Sequence, residues 1–256
     1  MITRRITFFV DEEGLAAWRL NRLKTMAGYF RSVTMLCNIS QRKQASVEHP
    51  IRMMSLSIKP GDLCQLLIEG SDAELASMVL TDFLDEHAHV LSGGKNSAPF
   101  EPSNHVTLPF TGCIHRIDNS PLDKHTLLAE FALRVSMNES TSQEDLFNAL
   151  CKRESVSATC MGNGIALPHI ISPNVSKAHL MIATTALPLD WGSKRGEVTR
   201  VVGMMLPAPP VREHVLAFSG FSQLLLEKHF CRYLTDNQDT DILETIIVHS
   251  LSNASV

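Results

Sequence analysis

The part of this chain best suited to chemistry is a histidine set just after a proline and a glycine-rich turn. The run Ala158-Thr159-Cys160-Met161-Gly162-Asn163-Gly164-Ile165-Ala166-Leu167-Pro168-His169 holds both features. A Gly-x-Gly turn lets consecutive backbone N–H groups converge on an anion. Proline restricts the backbone before His169, so the ring is presented over a narrow range of directions. A neutral imidazole, with an unperturbed pKa of about 6.5, is a nucleophile that can accept a phosphoryl group near neutral pH. The residues therefore read as an anion-binding loop beside a nucleophile. On spacing alone, an ordinary turn and a structural histidine stand as the alternatives.

The elements that must position these residues follow from periodicity. In the first part of the chain, Ile6, Phe8 and Val10 alternate as in a half-buried strand, and Ala16, Leu20, Leu23, Ala27 and Phe30 fall at helical spacing. Val33 to Ile39 and Leu63 to Ile68 read as strands, with another possible near 41–48, and residues 50–57 as a short helix. Ala76, Val79, Leu80, Phe83 and Leu84 mark one face of a last helix. This order gives an α+β sandwich with helices on one face. His87 and His89 are expected at the C-terminus of that helix, which favours cations; metal binding is the alternative.

Residues 92–104 are dominated by Gly, Pro, Ser and Asn, which is linker composition. Beyond them, Leu128, Phe131, Ala132 and Val135 line a helix, and Thr141 with Glu144 is a candidate capping box for the next. Leu180–Leu187 and Val198–Leu206 read as buried strands. A long helix follows Pro209-Pro210, with Val215, Phe218 and Leu225 inward and Phe221 as a further candidate, and a last one carries Ile242, Leu243, Ile246 and Ile247. Helices alternating with apolar strands argue α/β. Trp191, after Asp190, is expected as a surface-turn or edge-strand anchor.

Composition bounds the function. Lys+Arg is 23 against Asp+Glu 27, a net charge of −4, which excludes electrostatically driven nucleic-acid binding. No apolar run approaches about 18 residues, so no membrane insertion is expected, and the N-terminus does not read as a secretory signal. The 6 cysteines form no C-x-x-C, and Cys113 with His115 lacks a second half-site for zinc. No metal and no cofactor are expected, and the thiols read as reduced, cytoplasmic and mostly buried.

The run Thr159 to His169 resembles the active-site signature of the fructose/mannitol/nitrogen-type (type-2) enzyme IIA domains of the bacterial phosphotransferase system, close to T-G-x-G-x-G-I-A-x-P-H. Ala149-Leu150-Cys151-Lys152-Arg153-Glu154 resembles the family's A-L-x-x-R-E segment, and His214 in Arg212-Glu213-His214-Val215-Leu216 matches its second histidine. Cys160 replaces the usual glycine. The similarity spans about 110–252. It implies that His169 receives phosphate from phospho-HPr and passes it to a cysteine of an enzyme IIB. It also implies that Arg153 and His214 assist, with Thr159, Met161, Gly162, Asn163 and Gly164 as the phosphate-binding loop. Arg153 could place its guanidinium fork on the phosphoryl oxygens, and His214 could hydrogen-bond the phosphoryl group or His169. No metal is needed, because the phosphate arrives on a nitrogen. A surface or structural charge at Arg153, a packing or capping role at His214, and a loop-closing hydrogen bond from Thr159 are the alternatives.

The first part of the chain resembles HPr, the histidine phosphocarrier of the same system. Gly14-Leu15, Met53-Met54-Ser55-Leu56-Ser57-Ile58-Lys59-Pro60-Gly61-Asp62 and Ile68-Glu69-Gly70-Ser71-Asp72-Ala73-Glu74 carry the likeness. HPr has G-L-H-x-R-P at its phosphorylation site. Here the run is Gly14-Leu15-Ala16-Ala17-Trp18-Arg19, with Ala16 in place of the nucleophile, and Asp11, Glu12 and Glu13 add negative charge nearby. His49 stands where some HPr proteins have a regulatory serine.

The expected organisation is an HPr-like open-faced α+β sandwich at 1–91, a linker at 92–108, and at 109–256 an α/β enzyme IIA domain whose mixed sheet is flanked by helices. The expected function is that of a cytoplasmic phosphohistidine carrier fed by HPr or nitrogen-type HPr. Its HPr-like part takes no phosphate and serves docking or regulation. In the alternative, a nitrogen-type regulatory protein, phosphorylation of His169 controls binding to a transporter, kinase or transcription factor. A metal-dependent hydrolase lacks the carboxylates and histidine spacing it needs.

Overall fold

The structure is a computed structural model that describes residues 2–91, 102, 105–120 and 123–254. The chain divides into two compact units, Met1–His105 and Val106–Val256, so the break falls inside the segment expected to be a linker. Residues 92–101, 103 and 104 of that linker lie outside the described residues.

The first unit runs β1 (Ile2–Val10), α1 (Ala17–Ala27), β2 (Val33–Asn38), β3 (Lys43–Ser46), α2 (Pro50–Met54), β4 (Leu63–Gly70), α3 (Ala73–Asp85) and β5 (Ala88–Val90). The strands form one antiparallel sheet in the order β3-β2-β4-β1-β5. Ile6, Phe8 and Val10 on β1 and Leu66 and Ile68 on β4 are buried with Leu20 and Leu23 of α1 and Ala76, Leu80 and Leu84 of α3. Each fully buried Leu, Ile or Phe contributes about 1.5–3 kcal/mol to the fold. The sheet has one strand more than the periodicity indicates. α3 ends at Asp85, and β5 pairs with Phe8, Phe9 and Val10. His89 therefore sits on a strand, opposite Phe9, and not at the helix end; His87 lies in the turn between them.

The second unit runs β6 (Gly112–Ser120), α4 (Lys124–Glu139), α5 (Gln143–Val156), β7 (Cys160–Gly162), β8 (Ile165–Ala166), β9 (His169–Ser172), β10 (Ala178–Leu189), β11 (Val198–Pro207), α6 (Arg212–Leu224), α7 (Lys228–Thr235) and α8 (Thr240–Ala254). The sheet order is β6-β10-β11-β8-β7, with β9 also on β11. It is mixed: β6 is parallel to β10, β8 and β9 are parallel to β11, and β10 is antiparallel to β11. Leu128, Phe131 and Val135 of α4 and Leu146 and Leu150 of α5 are buried with Met181 and Ala183 of β10 and Val201 and Met205 of β11.

Several local expectations shift. Ser142, not Thr141, caps α5, its Oγ accepting from the Asp145 N–H at 3.2 Å. The long helix after Pro210 is two helices, α6 and α7, separated at Leu225–Glu227. On α6 the buried residues are His214, Ala217 and Phe221, while Val215 is 48% exposed and faces outward. Trp191 is not at the surface: it is fully buried, and its indole belongs to the network that frames the candidate site.

Candidate functional site

The last turn of α5 and the start of β9 bring Arg153 and His169 together. β9 is held in register by β11, with Met204 opposite His169 and the Met204 N–H donating to the Pro168 carbonyl at 2.9 Å. The His169 Nδ1–H donates to the Leu167 carbonyl at 2.8 Å. A carbonyl can only accept, so this bond places the proton on Nδ1 and leaves the lone pair on Nε2. Arg153 lies at that nitrogen, with Nη2 at 3.4 Å from Nε2, while its Nη1 donates to the Ser157 carbonyl at 3.0 Å. The second bond, to the end of its own helix, fixes the guanidinium plane. Phe218 of α6 packs on the His169 ring, centroids 4.8 Å apart. His169 is half-buried, and burial pushes its pKa below the ordinary value. The Leu167 carbonyl opposes the shift, Arg153 adds to it, and Glu154 opposes it weakly. The ring is thus held neutral and nucleophilic at Nε2.

His169 and Arg153 line a cavity of about 450 Å³ whose wall also includes Ala158, Thr159, Cys160, Met161, Lys194 and Arg195. Of the expected loop, Thr159 and Met161 are in the wall, whereas Gly162, Asn163 and Gly164 are not. These three form the tip of the β7–β8 hairpin, with φ of +87°, +52° and +82°. The tip is packed against β11 and α7. The Gly164 carbonyl accepts from the Thr199 and Arg200 N–H groups at 2.8 and 3.0 Å, and a Cβ on Gly164 would stand 3.1 Å from Thr235 Cγ2. The glycines serve the turn itself.

Thr159 is buried, and its hydroxyl and N–H both donate to Glu154. Glu154, buried beside Arg153 on α5, also accepts from Trp191 Nε1 at 3.0 Å and pairs with Lys124 Nζ at 2.9 Å. This carboxylate ties α4, α5, the Thr159 segment and Trp191 together, which is why an indole at the end of β10 is fully buried.

His214 stands one helical turn before Phe218, the residue that touches His169. It is buried, its ring meets Phe110 edge-on at 4.9 Å, and its Nδ1 has no hydrogen-bond partner among the described residues. Burial lowers its pKa, with Glu213 opposing. No hydrogen bond joins it to His169. Lys194 and Arg195 are the residues that sequence reasoning missed. Among the described residues, no three His, Cys, Asp or Glu side chains are grouped to hold a metal ion, and no helix is long and apolar enough to cross a membrane.

Residues 111–249 match the family of the phosphoenolpyruvate-dependent sugar phosphotransferase system, EIIA 2. The chain belongs to this family. The enzyme IIA match covers the whole of the cavity and the histidines, from β6 to α8. Among curated relatives, the chain is 34% identical over 101 residues to a multiphosphoryl transfer protein of Shigella flexneri, covering 40% of this chain and 12% of the relative. The chain thus spans about an eighth of the length of that relative. It is 24% identical over 125 residues to a nitrogen regulatory protein of Bradyrhizobium diazoefficiens, covering 48% of this chain and 82% of the relative. Among solved structures, the nitrogen regulatory protein IIA-Ntr of Neisseria meningitidis covers 53% of this chain and 92% of its own, at 22% identity and a TM-score of 0.46. An HPr of Bacillus anthracis covers 31% of this chain and 94% of its own, at 25% identity and a TM-score of 0.29.

Proposed function

We propose that this enzyme IIA is a phosphohistidine carrier of the phosphotransferase system in which His169 accepts the phosphoryl group. The donor is phospho-HPr or its nitrogen-type counterpart, and the acceptor is a cysteine of an enzyme IIB. The observation that carries the reading is the fixed tautomer of His169: Nδ1–H is bound to Leu167, so the free lone pair on Nε2 opens to Arg153 and the cavity. In the transfer, the donor's P–N bond breaks, its electron pair returns to the donor nitrogen, and a new P–N bond forms at Nε2. Arg153 offers charge-assisted N–H groups to the phosphoryl oxygens, and catalysis consists of alignment and charge stabilisation. The Nδ1 of His214 is buried without a partner, at a cost of about 1–3 kcal/mol, but the ring is not part of the cavity wall, so a role for it in the transfer rests on the family resemblance.

The HPr-like unit takes no phosphate and serves docking or regulation. Ala16, at the N-cap of α1, offers no nucleophile. A second reading, a nitrogen-type regulator whose phosphorylation state controls a target protein, is supported by the match to 82% of the length of the nitrogen regulatory relative. Onward transfer to an enzyme IIB favours the first reading. A partner captured only in one phosphorylation state, without transfer, favours the second.

The test is incubation of the full chain and of His169→Ala with phosphoenolpyruvate, the first enzyme of the system and HPr. Acid-labile label on the wild type alone is expected; equal label on both would overturn the assignment.

A further inference from the structure

We infer that Lys194 and Arg195 form a second cationic part of the wall around His169 and, together with Arg153, hold the phosphoryl group on that ring. The inference rests on the reading of His169 as the phosphoryl acceptor. Between β10 and β11 the chain turns at Gly192 and Gly196, with φ of +72° and +103°, and carries Ser193, Lys194 and Arg195 between them. Two bonds shape this loop: Gly192 N–H to Asp190 Oδ1 at 2.8 Å, and Arg195 N–H to Ser193 Oγ at 3.2 Å.

The loop is anchored at both ends. Trp191 pins its start to Glu154, the neighbour of Arg153. At its other end Cys160 Sγ lies 3.8 Å from the Gly196 carbonyl, and a Cβ on Gly162 would stand 4.0 Å from Arg195 Cβ. Lys194 and Arg195 are thereby part of the wall of the cavity that His169 and Arg153 share. A pair of exposed cations between glycines ordinarily faces water. Here neither forms an ion pair among the described residues, nor does the adjacent Glu197, so both charges remain available to a ligand. Cations gathered on a concave wall raise the local concentration of anions and hold a phosphoryl dianion in place.

The test uses the full chain and phosphoramidate, a small donor that removes protein docking from the readout. Its P–N bond breaks to leave ammonia as the new bond forms at Nε2. Phosphorus NMR follows the rate of phosphohistidine formation and the pH midpoint of its signal. The double variant Lys194→Gln, Arg195→Gln is expected to form phosphohistidine about tenfold more slowly and to shift that midpoint upward, because the dianion loses its counter-charges. The charge-conserving pair Lys194→Arg, Arg195→Lys is expected to stay within about twofold of wild type, because the cationic field of the wall is kept. Equal rates and midpoints in wild type and the glutamine variant would overturn the inference. So would a slowed reaction with an unmoved midpoint, or equal impairment of the charge-conserving pair, since either marks mere loop damage. A wild type that takes no label from phosphoramidate, while the system's own proteins also fail to label it, would remove the acceptor reading and this inference together.

Discussion

Each unit places an arginine close to the end of a helix, and the two arginines do opposite things. In the first unit Arg19 is buried, its side chain 5% exposed. Its Nη1 reaches both Asp11 carboxylate oxygens at 3.1 and 3.2 Å and the Gly14 carbonyl at 2.7 Å, and Nη2 binds Glu13. Trp18 lies 5.4 Å from the guanidinium. In the second unit Arg153 has no carboxylate in ion-pair range among the described residues and turns one nitrogen to a histidine lone pair. A buried cation bound by its own carboxylates, even with its Nε left without a partner, is part of the scaffold. A cation left with a neutral nucleophile is ready for an anion.

The sharpest way to break this contrast is to remove the second arginine. Arg153→Gln is expected to slow phosphorylation of His169 on the order of a hundredfold, with little change in thermal midpoint, because it loses a charge-assisted donor without opening the core. An unaffected rate would leave Arg153 a mere helix cap. In the first unit, Ala16→His alone is expected to stay unlabelled. Adding Asp11→Asn and Glu13→Gln, which frees Arg19, should bring label onto that unit where the single variant shows none; peptide mapping reads the result. Arg19→Met should destabilise the first unit by about 1–2 kcal/mol and leave labelling of His169 unchanged. Amide exchange of the β1 and β4 cores measures the loss.

The smallest effect is on pH. Burial lowers the pKa of His115, His169, His179 and His214 in the second unit, that of His115 to about 4, and of His105 in the first. A histidine with a folded pKa below its unfolded value takes up protons first in the unfolded chain. Its contribution is therefore present above about pH 6.5 and lost as pH falls through its lowered folded pKa, about 4 for His115. Core amides of the second unit should lose protection over that window faster than those of the first. The acid limb of His169 phosphorylation should lie below pH 6.5, because only the neutral ring is nucleophilic.

The sequence made strands legible where apolar residues alternate, as in residues 6–10, or run together, as in residues 180–183, whereas Leu187, expected buried, is 74% exposed. It also located Arg153 and His169, which the structure brings into contact. Other features depend on partners distant in sequence. β6 carries His115 inward, and its burial becomes intelligible only with His179 at 2.9 Å and Glu139 beyond it at 2.7 Å. Gly162-Asn163-Gly164 has the local form of an anion nest, yet the packing of its tip on Thr199 and Thr235 makes it a hairpin. Lys194 and Arg195 escape a reading of the sequence because nothing near them shows that Trp191 is anchored to Glu154. The signal that could have found them is a tryptophan followed by glycine-bounded cations between two buried strands.

In the proposed relay one atom takes the phosphoryl group, Nε2 of His169. Full-length protein labelled through HPr, digested under alkaline conditions and read by phosphorus and proton NMR, distinguishes the two ring nitrogens. Phosphate on Nε2 of His169, absent from residues 1–105 and from His169→Ala, is the expected result. Phosphate on Nδ1, or label that survives the substitution, would contradict a site built around the bond from Nδ1 to Leu167.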